Sequence, residues 1–270
     1  MNPNKELWEK GDFTRIAETM RDSGEALVQG IDKHLPMKAL DLGCGDGTTA
    51  LPLARYGADV LGIDIARNLV EAGNRRAAAA GLSNLRFQEG DACSLDGVPD
   101  GSFDLTLSVF GAMFAPRPFD VAREMVRVTK QGGQIVMGNW IPNDPTSFVS
   151  QVLKISSAFV PAPPEGFVSP MTWGIESHVV ERFVKAGALA QNISMAKDTF
   201  FFVAPISDDD LIDMFRNYYG PTMNAFDAAA KNGKEQDLQT QLLALAHAQN
   251  TATDGTVRIG ATFLRVLVRL

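Results

Sequence analysis

Cysteine, histidine and clustered basic residues are all scarce in this chain, and each scarcity removes a class of function. Among 270 residues there are two cysteines, Cys44 and Cys93. Two are too few for a disulfide framework, and no Cys/His spacing matches a zinc site, so no metal is expected. Basic residues never gather beyond the pair Arg75-Arg76, and the formal net charge is −7. A negative surface repels polyanions, so nucleic acid is not an expected partner. No uninterrupted apolar stretch is long enough to span a bilayer, and the segment Met1 to Asp12 is polar, without the apolar core of a secretory signal. These absences leave a cytoplasmic protein, monomer or homodimer, with no membrane partner as the expectation.

What is present is an apolar fraction of 45%, ample for a large core. Residues 14–35 carry Ile16, Ala17, Met20, Leu27, Val28 and Ile31 at helical spacing. A strand–helix alternation follows. Met37 to Leu42, Asp59 to Ile65, Leu85 to Gln88, Phe103 to Phe110 and Gln134 to Asn139 read as strands. Thr48 to Arg55, Asn68 to Ala80 and Phe119 to Val128 read as the helices between them. Such alternation predicts a parallel sheet covered on both faces. Beyond Trp140 the pattern changes. Residues 141–178 are rich in proline without clear period and predict an ordered flap. A helix over Val179 to Ala186, a strand over Thr199 to Val203, a helical insertion over 208–250 broken at Gly220-Pro221, and a β-rich run from Ala261 to Leu270 complete the chain.

The most informative segment is Asp41-Leu42-Gly43-Cys44-Gly45-Asp46-Gly47, between the first strand and the first helix after it. Open α/β sheets bind ligands at that position. The glycines let the backbone turn sharply and approach a ligand. A dinucleotide fingerprint would place its third glycine at 48, where this chain has Thr48 and puts glycine one position earlier. Asp41 and Asp46 flank the loop with no Lys or Arg beside them in sequence, which suits a cationic ligand better than a pyrophosphate. Taken alone, Asp64 reads as a helix cap; following this loop, it reads as the acidic residue that holds a ribose diol. Asp91, in Gly90-Asp91-Ala92, is positioned to accept from an adenine amino group, and capping the next turn competes with that role.

Together the Asp41–Gly47 loop, Asp64, Gly90-Asp91-Ala92, Phe103-Asp104-Leu105 and Gln131-Gly132-Gly133 resemble the class I S-adenosylmethionine (SAM)-dependent methyltransferases over roughly residues 37–140. Gln131 stands where that family usually has proline. The resemblance implies a Rossmann-like, seven-stranded, mostly parallel α/β sheet with a reversed final strand. It implies SAM as methyl donor, S-adenosylhomocysteine (SAH) as product, and a small-molecule acceptor. Carried over residue by residue, it places Asp41, Gly43, Cys44, Gly45, Gly47, Asp64, Ile65, Asp91, Ala92, Ser108 and Phe110 at the cofactor, with Trp8 and Phe13 of a leading segment covering it.

One domain over 1–270 is therefore expected: an N-terminal helical cap (1–36), a SAM-binding core (37–140), the flap (141–178), and a C-terminal part (179–270). Phe110, Met113, Phe114, Trp140, Phe167 and Trp173 are the candidate wall of an acceptor pocket, favouring an aromatic or lipophilic acceptor. His178, Tyr218 and Tyr219 are the candidate acid–base residues, and His34 and His247 read as surface positions. No Asn/Asp-Pro-Pro-Tyr/Phe motif follows the fourth strand, in keeping with a small acceptor rather than a flipped base. Two other readings compete, a nicotinamide-dependent oxidoreductase and a non-catalytic SAM-binding subunit.

Overall fold

A computed structural model describes residues 5–270. Of the cap expected over 1–36, residues 1–4 lie outside the described residues. The chain opens with three short helices, α1 (Lys5–Lys10), α2 (Phe13–Glu18) and α3 (Arg21–Gln29). The single helix expected over 14–35 is thus broken at Thr19-Met20. There the Thr19 hydroxyl donates to the Ile16 carbonyl at 2.7 Å, a local bond that competes with helix continuation.

Next come β1 (Lys38–Leu42), α4 (Ala50–Arg55), β2 (Asp59–Asp64), α5 (Arg67–Ala79), β3 (Leu85–Glu89), β4 (Phe103–Val109), α6 (Pro118–Val128) and β5 (Thr129–Trp140). Strands β1 to β5 pair in parallel, in the order β3-β2-β1-β4-β5. Their near-continuous apolar runs are explained by burial on both faces: Leu40, Leu42, Ile63, Leu105, Leu107 and Ile135 are all essentially inaccessible. Each fully buried side chain of this size contributes about 1.5–3 kcal/mol.

The second half contains α7 (Phe148–Ser157), α8 (Glu176–Lys185), β6 (Ile193–Ala204), α9 (Asp208–Tyr218), α10 (Gly220–Lys231), α11 (Glu235–Gln249) and β7 (Val257–Arg269). β7 runs antiparallel to β5 and β6, giving the seven-stranded order β3-β2-β1-β4-β5-β7-β6. The expected break is at Tyr219, between α9 and α10, and Gly220-Pro221 opens α10, where the first turn tolerates the proline.

Two differences from the sequence reading bear on function. The segment 141–178 is not a loop-like flap: it holds α7, which packs against α10, α11 and β7. Phe148, Val149 and Val152 of α7 are buried, and Phe148 meets Phe215 edge-on at 5.5 Å. Strand β6 begins six residues earlier than Thr199, at Ile193. Its first half has polar, exposed residues such as Ser194 and Lys197, which hide an edge strand from any apolar pattern.

Candidate functional site

The strand order reverses between the paired neighbours β1 and β4, and a cleft lies beyond their carboxyl ends. It encloses about 1130 Å³, its open mouth included. One half is built from the loops after β1, β2, β3 and β4; the other comes from the N-terminal helices, α7, β6 and α9.

In the first half, the glycine loop is folded back under the end of β2. Gly43 and Cys44 both donate backbone N–H groups to the Ile63 carbonyl, at 2.7 and 3.2 Å. Gly43 has φ +66°, and a Cβ there would stand 2.7 Å from the backbone of Gly111 and Ala112. Only glycine permits the β1 and β4 loops to approach this closely. Gly45, with φ +55°, differs: a Cβ there would meet nothing nearer than the Phe13 ring at 3.9 Å. That position points into the cleft itself.

Asp64, at the end of β2, is buried with 8% exposure and lines the cleft. Its Oδ2 accepts the Gly45 N–H at 2.8 Å and its Oδ1 the Ala66 N–H at 2.9 Å. Burial raises its carboxyl above the usual range, and the amide donors oppose that shift. Asp41 lies deeper, behind the lining. Its Oδ2 accepts the Thr49 hydroxyl at 2.6 Å, and its Oδ1 is buried with no hydrogen-bond partner. Desolvation pushes its carboxyl up to about 7.

Asp46 corrects the sequence reading. No basic residue neighbours it along the chain, yet the fold brings two to it. Arg21 of α3 grips its carboxylate through two nitrogens, at 2.9 and 2.5 Å, and Arg76 of α5 stands 3.3 Å away. The Arg76 guanidinium also donates to the Asp46 carbonyl. The uncompensated carboxylates of the loop region are therefore Asp41 and Asp64.

The remaining sequence candidates divide clearly. Gly43, Cys44, Gly45, Asp64, Ile65, Ala92, Phe110, Trp8 and Phe13 line the cleft. Gly47, Asp91 and Ser108 stand outside the lining and shape it. Gly47 (φ +92°) packs close under Phe87, a Cβ there falling 2.7 Å from the ring. Asp91 accepts the Cys93 N–H at 2.8 Å. The Ser108 hydroxyl donates to the Leu42 carbonyl at 2.6 Å and accepts the Ala112 N–H at 3.0 Å, tying β1 to the loop after β4. Phe110 falls just beyond β4 rather than within it. It takes φ +63°, rare for a bulky residue, and stacks on Trp140 with centroids 3.5 Å apart.

The second half is almost wholly apolar: Ile16, Met20, Val149, Phe200, Phe202 and Phe215, with Tyr219 beside them. Phe110, Phe114 and Trp140 of the expected wall are present, while Met113, Phe167 and Trp173 are not. Met113 is in the core; Trp173 is buried against Phe183 and the Arg182 guanidinium; Phe167 is 55% exposed. Val149 is the sole contribution of residues 141–178 among the described lining. His178 sits in the first turn of α8 and Tyr218 at the end of α9, both outside the lining; Tyr219 is inside it and fully buried. Burial raises the Tyr219 phenol above its ordinary range, so it stays protonated. His34 and His247 are exposed.

Sequence reasoning missed Phe200, Phe202 and Phe215 because an alternating strand and an amphipathic helix bury apolar residues whether or not they face a cavity. The cover over the cleft comes from the N-terminus. Trp8 packs edge-on against Phe114 at 5.0 Å and lies 6.0 Å from Tyr219, and Lys10 pairs with Asp227 of α10 at 2.5 Å.

Residues 40–137 match a family model described as a methyltransferase domain. A protein of Mycobacterium tuberculosis H37Rv with no assigned activity is 33% identical over 230 residues, 84% of this chain and 80% of its own length. A demethylmenaquinone methyltransferase of Paenarthrobacter aurescens is 30% identical over 172 residues, 60% of this chain and 66% of its own. The crystal structure of the YcgJ protein of Bacillus subtilis matches with a TM-score of 0.55 at 20% identity, over 92% of this chain and 98% of that one, a likeness of fold.

Proposed function

This chain belongs to the class I SAM-dependent methyltransferases, and from that premise we propose that it transfers the methyl group to a small aromatic or lipophilic acceptor held against Phe200, Phe202 and Phe215. Membership of that family displaces the nicotinamide-dependent alternative. The residues present fit the methyl donor. Asp64 lines the cleft, where it would receive ribose hydroxyls; Asp41, buried behind the lining with an unpartnered Oδ1, would add an acceptor on the side of a cationic group; and Gly45 leaves room that any side chain would fill. When bound, SAM supplies an electrophilic methyl on a positively charged sulfur.

The chain's own part is to position and to exclude water. Methyl transfer is an in-line displacement, so its rate depends on holding the nucleophile on the line of attack. The rings of Trp8, Phe13, Phe114 and Tyr219 close the cleft from above, and an apolar wall around the reacting atoms keeps water from the sulfonium. The single observation that carries the acceptor class is the composition of the second half of the cleft. The Paenarthrobacter relative, named for demethylmenaquinone, is consistent with it. The test is methyl transfer from labelled SAM to matched small acceptors, one set apolar and one bearing charged or sugar groups. Apolar members should be methylated with kcat/KM at least tenfold higher; preference for the polar set would refute the reading.

A further inference from the structure

The acceptor wall has a chemical consequence beyond its hydrophobicity. Ile16, Met20, Val149, Phe200, Phe202 and Phe215 carry no proton acceptor at all. Tyr219 is the titratable side chain on this half among the described lining residues, and its burial keeps it a donor rather than a base. On the cofactor half, the titratable groups facing the cleft are Cys44, Asp46 and Asp64, with Asp41 behind them. Each is committed elsewhere or shut off from the cleft, Asp41 keeping an unpartnered Oδ1 that is buried behind the lining. Asp46 is gripped by Arg21 and Arg76, Asp64 holds the Gly45 and Ala66 amides, Asp41 accepts from Thr49, and the Cys44 thiol is buried and held protonated.

Building on the acceptor reading above, we propose that the acceptor is a lipophilic thiol that enters the chamber as its thiolate, ionised in water beforehand, so that the protein supplies no general base. The balance is simple. The thiolate sulfur forms a bond to the methyl carbon, the bond from that carbon to the sulfonium sulfur breaks, and its electron pair stays on the departing SAH. One negative and one positive charge disappear together, and no proton moves. An apolar chamber favours such a charge-annihilating step, because the separated charges lose more solvation than the neutral products do. A neutral amine acceptor would annihilate no charge: the positive charge would move from the sulfonium to a new ammonium beside Phe202 and Phe215, with no carboxylate on that wall to receive it. Among anions, a thiolate is weakly hydrated and polarisable, so it is the easiest to bring into contact with aromatic rings.

Two measurements on the full-length protein test this. The first follows methyl transfer to 4-nitrothiophenol, thiophenol and benzyl mercaptan, which ionise at successively higher pH, with benzylamine and 4-nitrophenol as comparisons. The rise of kcat/KM with pH should track each thiol's own ionisation. Benzylamine should react at less than a hundredth of the best thiol's rate, and 4-nitrophenol more slowly than 4-nitrothiophenol. Tyr219→Phe should leave the pH midpoints in place. The second measures binding without turnover, by the visible absorbance of 4-nitrothiophenolate. It should bind at least tenfold tighter to protein loaded with sinefungin, a cationic SAM analogue, than to protein loaded with SAH. The neutral methyl thioether should not distinguish the two. Benzylamine methylated as well as the thiols, one pH midpoint shared by all acceptors, equal thiolate binding to both complexes, or no transfer to any thiol by protein that binds SAM would each overturn the proposal. Preferential methylation of apolar amines would do so while leaving the apolar-acceptor reading standing.

Discussion

Replacing Asp64 by alanine isolates the contribution of one carboxylate to cofactor binding. If Asp64 accepts hydrogen bonds from both ribose hydroxyls, its loss should weaken SAH binding by about 1.5–3 kcal/mol, the scale of bonds to a charged group, or roughly 10- to 150-fold in Kd. The carboxylate also supports the loop. Its two oxygens accept the Gly45 and Ala66 amides at 2.8 and 2.9 Å, so the substitution also unties the glycine loop from β2. Those two functions separate when stability and affinity are measured together. Isothermal calorimetry gives the SAH affinity, and urea unfolding without ligand gives the cost of the lost loop contacts, about 1–3 kcal/mol. Asp64→Asn sharpens the comparison, since its amide group must face at least one backbone donor where a carboxylate faced both. Wild-type SAH affinity in folded Asp64→Ala protein would refute the assignment of the ribose site.

Three further outcomes follow from the same geometry. Gly45→Val should abolish SAH binding in a protein that remains folded by circular dichroism, because the side chain enters the cleft and φ +55° is unfavourable for a β-branched residue; retained binding would show that the loop stays clear of the cofactor. Arg21→Gln leaves the buried Asp46 with Arg76 alone and should cost about 1–3 kcal/mol of stability by urea unfolding, together with weaker SAH binding; unchanged stability would refute the clamp. The raised carboxyl of Asp41, about 7 in the folded protein against 3.8 ordinarily, means the native state holds a proton that the unfolded chain has released. That contribution to stability is complete below about pH 4 and is lost as pH rises through 7, so Asp41→Asn should remove that part of the decline in thermal unfolding curves taken across the window; an identical pH profile in the variant would refute it.

The cofactor half of the site was legible because its constraints are local. A strand, three closely spaced glycines and an acidic residue at the next strand's end are fixed by backbone geometry, and they announce themselves in order along the chain. The acceptor half was not, because it is assembled from Ile16, Val149, Phe200 and Phe215, which lie on separate elements and look like any core residues. Charge misled in the same way. Asp46 appeared uncompensated because Arg21 and Arg76 lie 25 and 30 positions away, and only the packing of α3 and α5 brings them together on it. The proline-rich composition after Trp140 concealed α7, whose apolar face packs on α10, α11 and β7 and gives only Val149 to the described lining of the cleft. Exposed Phe167 and core-bound Trp173 show that aromatic residues near a site in sequence need not reach it in space.

The central claim is that donor and acceptor occupy the two halves of one cleft, with the reacting sulfur at their junction. A crystal structure of the protein with SAH tests this most directly. The account predicts ribose hydroxyls on the Asp64 carboxylate, backbone contact at Gly45, and the SAH sulfur facing the space bounded by Met20, Phe202, Phe215 and Tyr219. An SAH molecule whose sulfur points away from that apolar space, or whose ribose lies clear of Asp64, would contradict it.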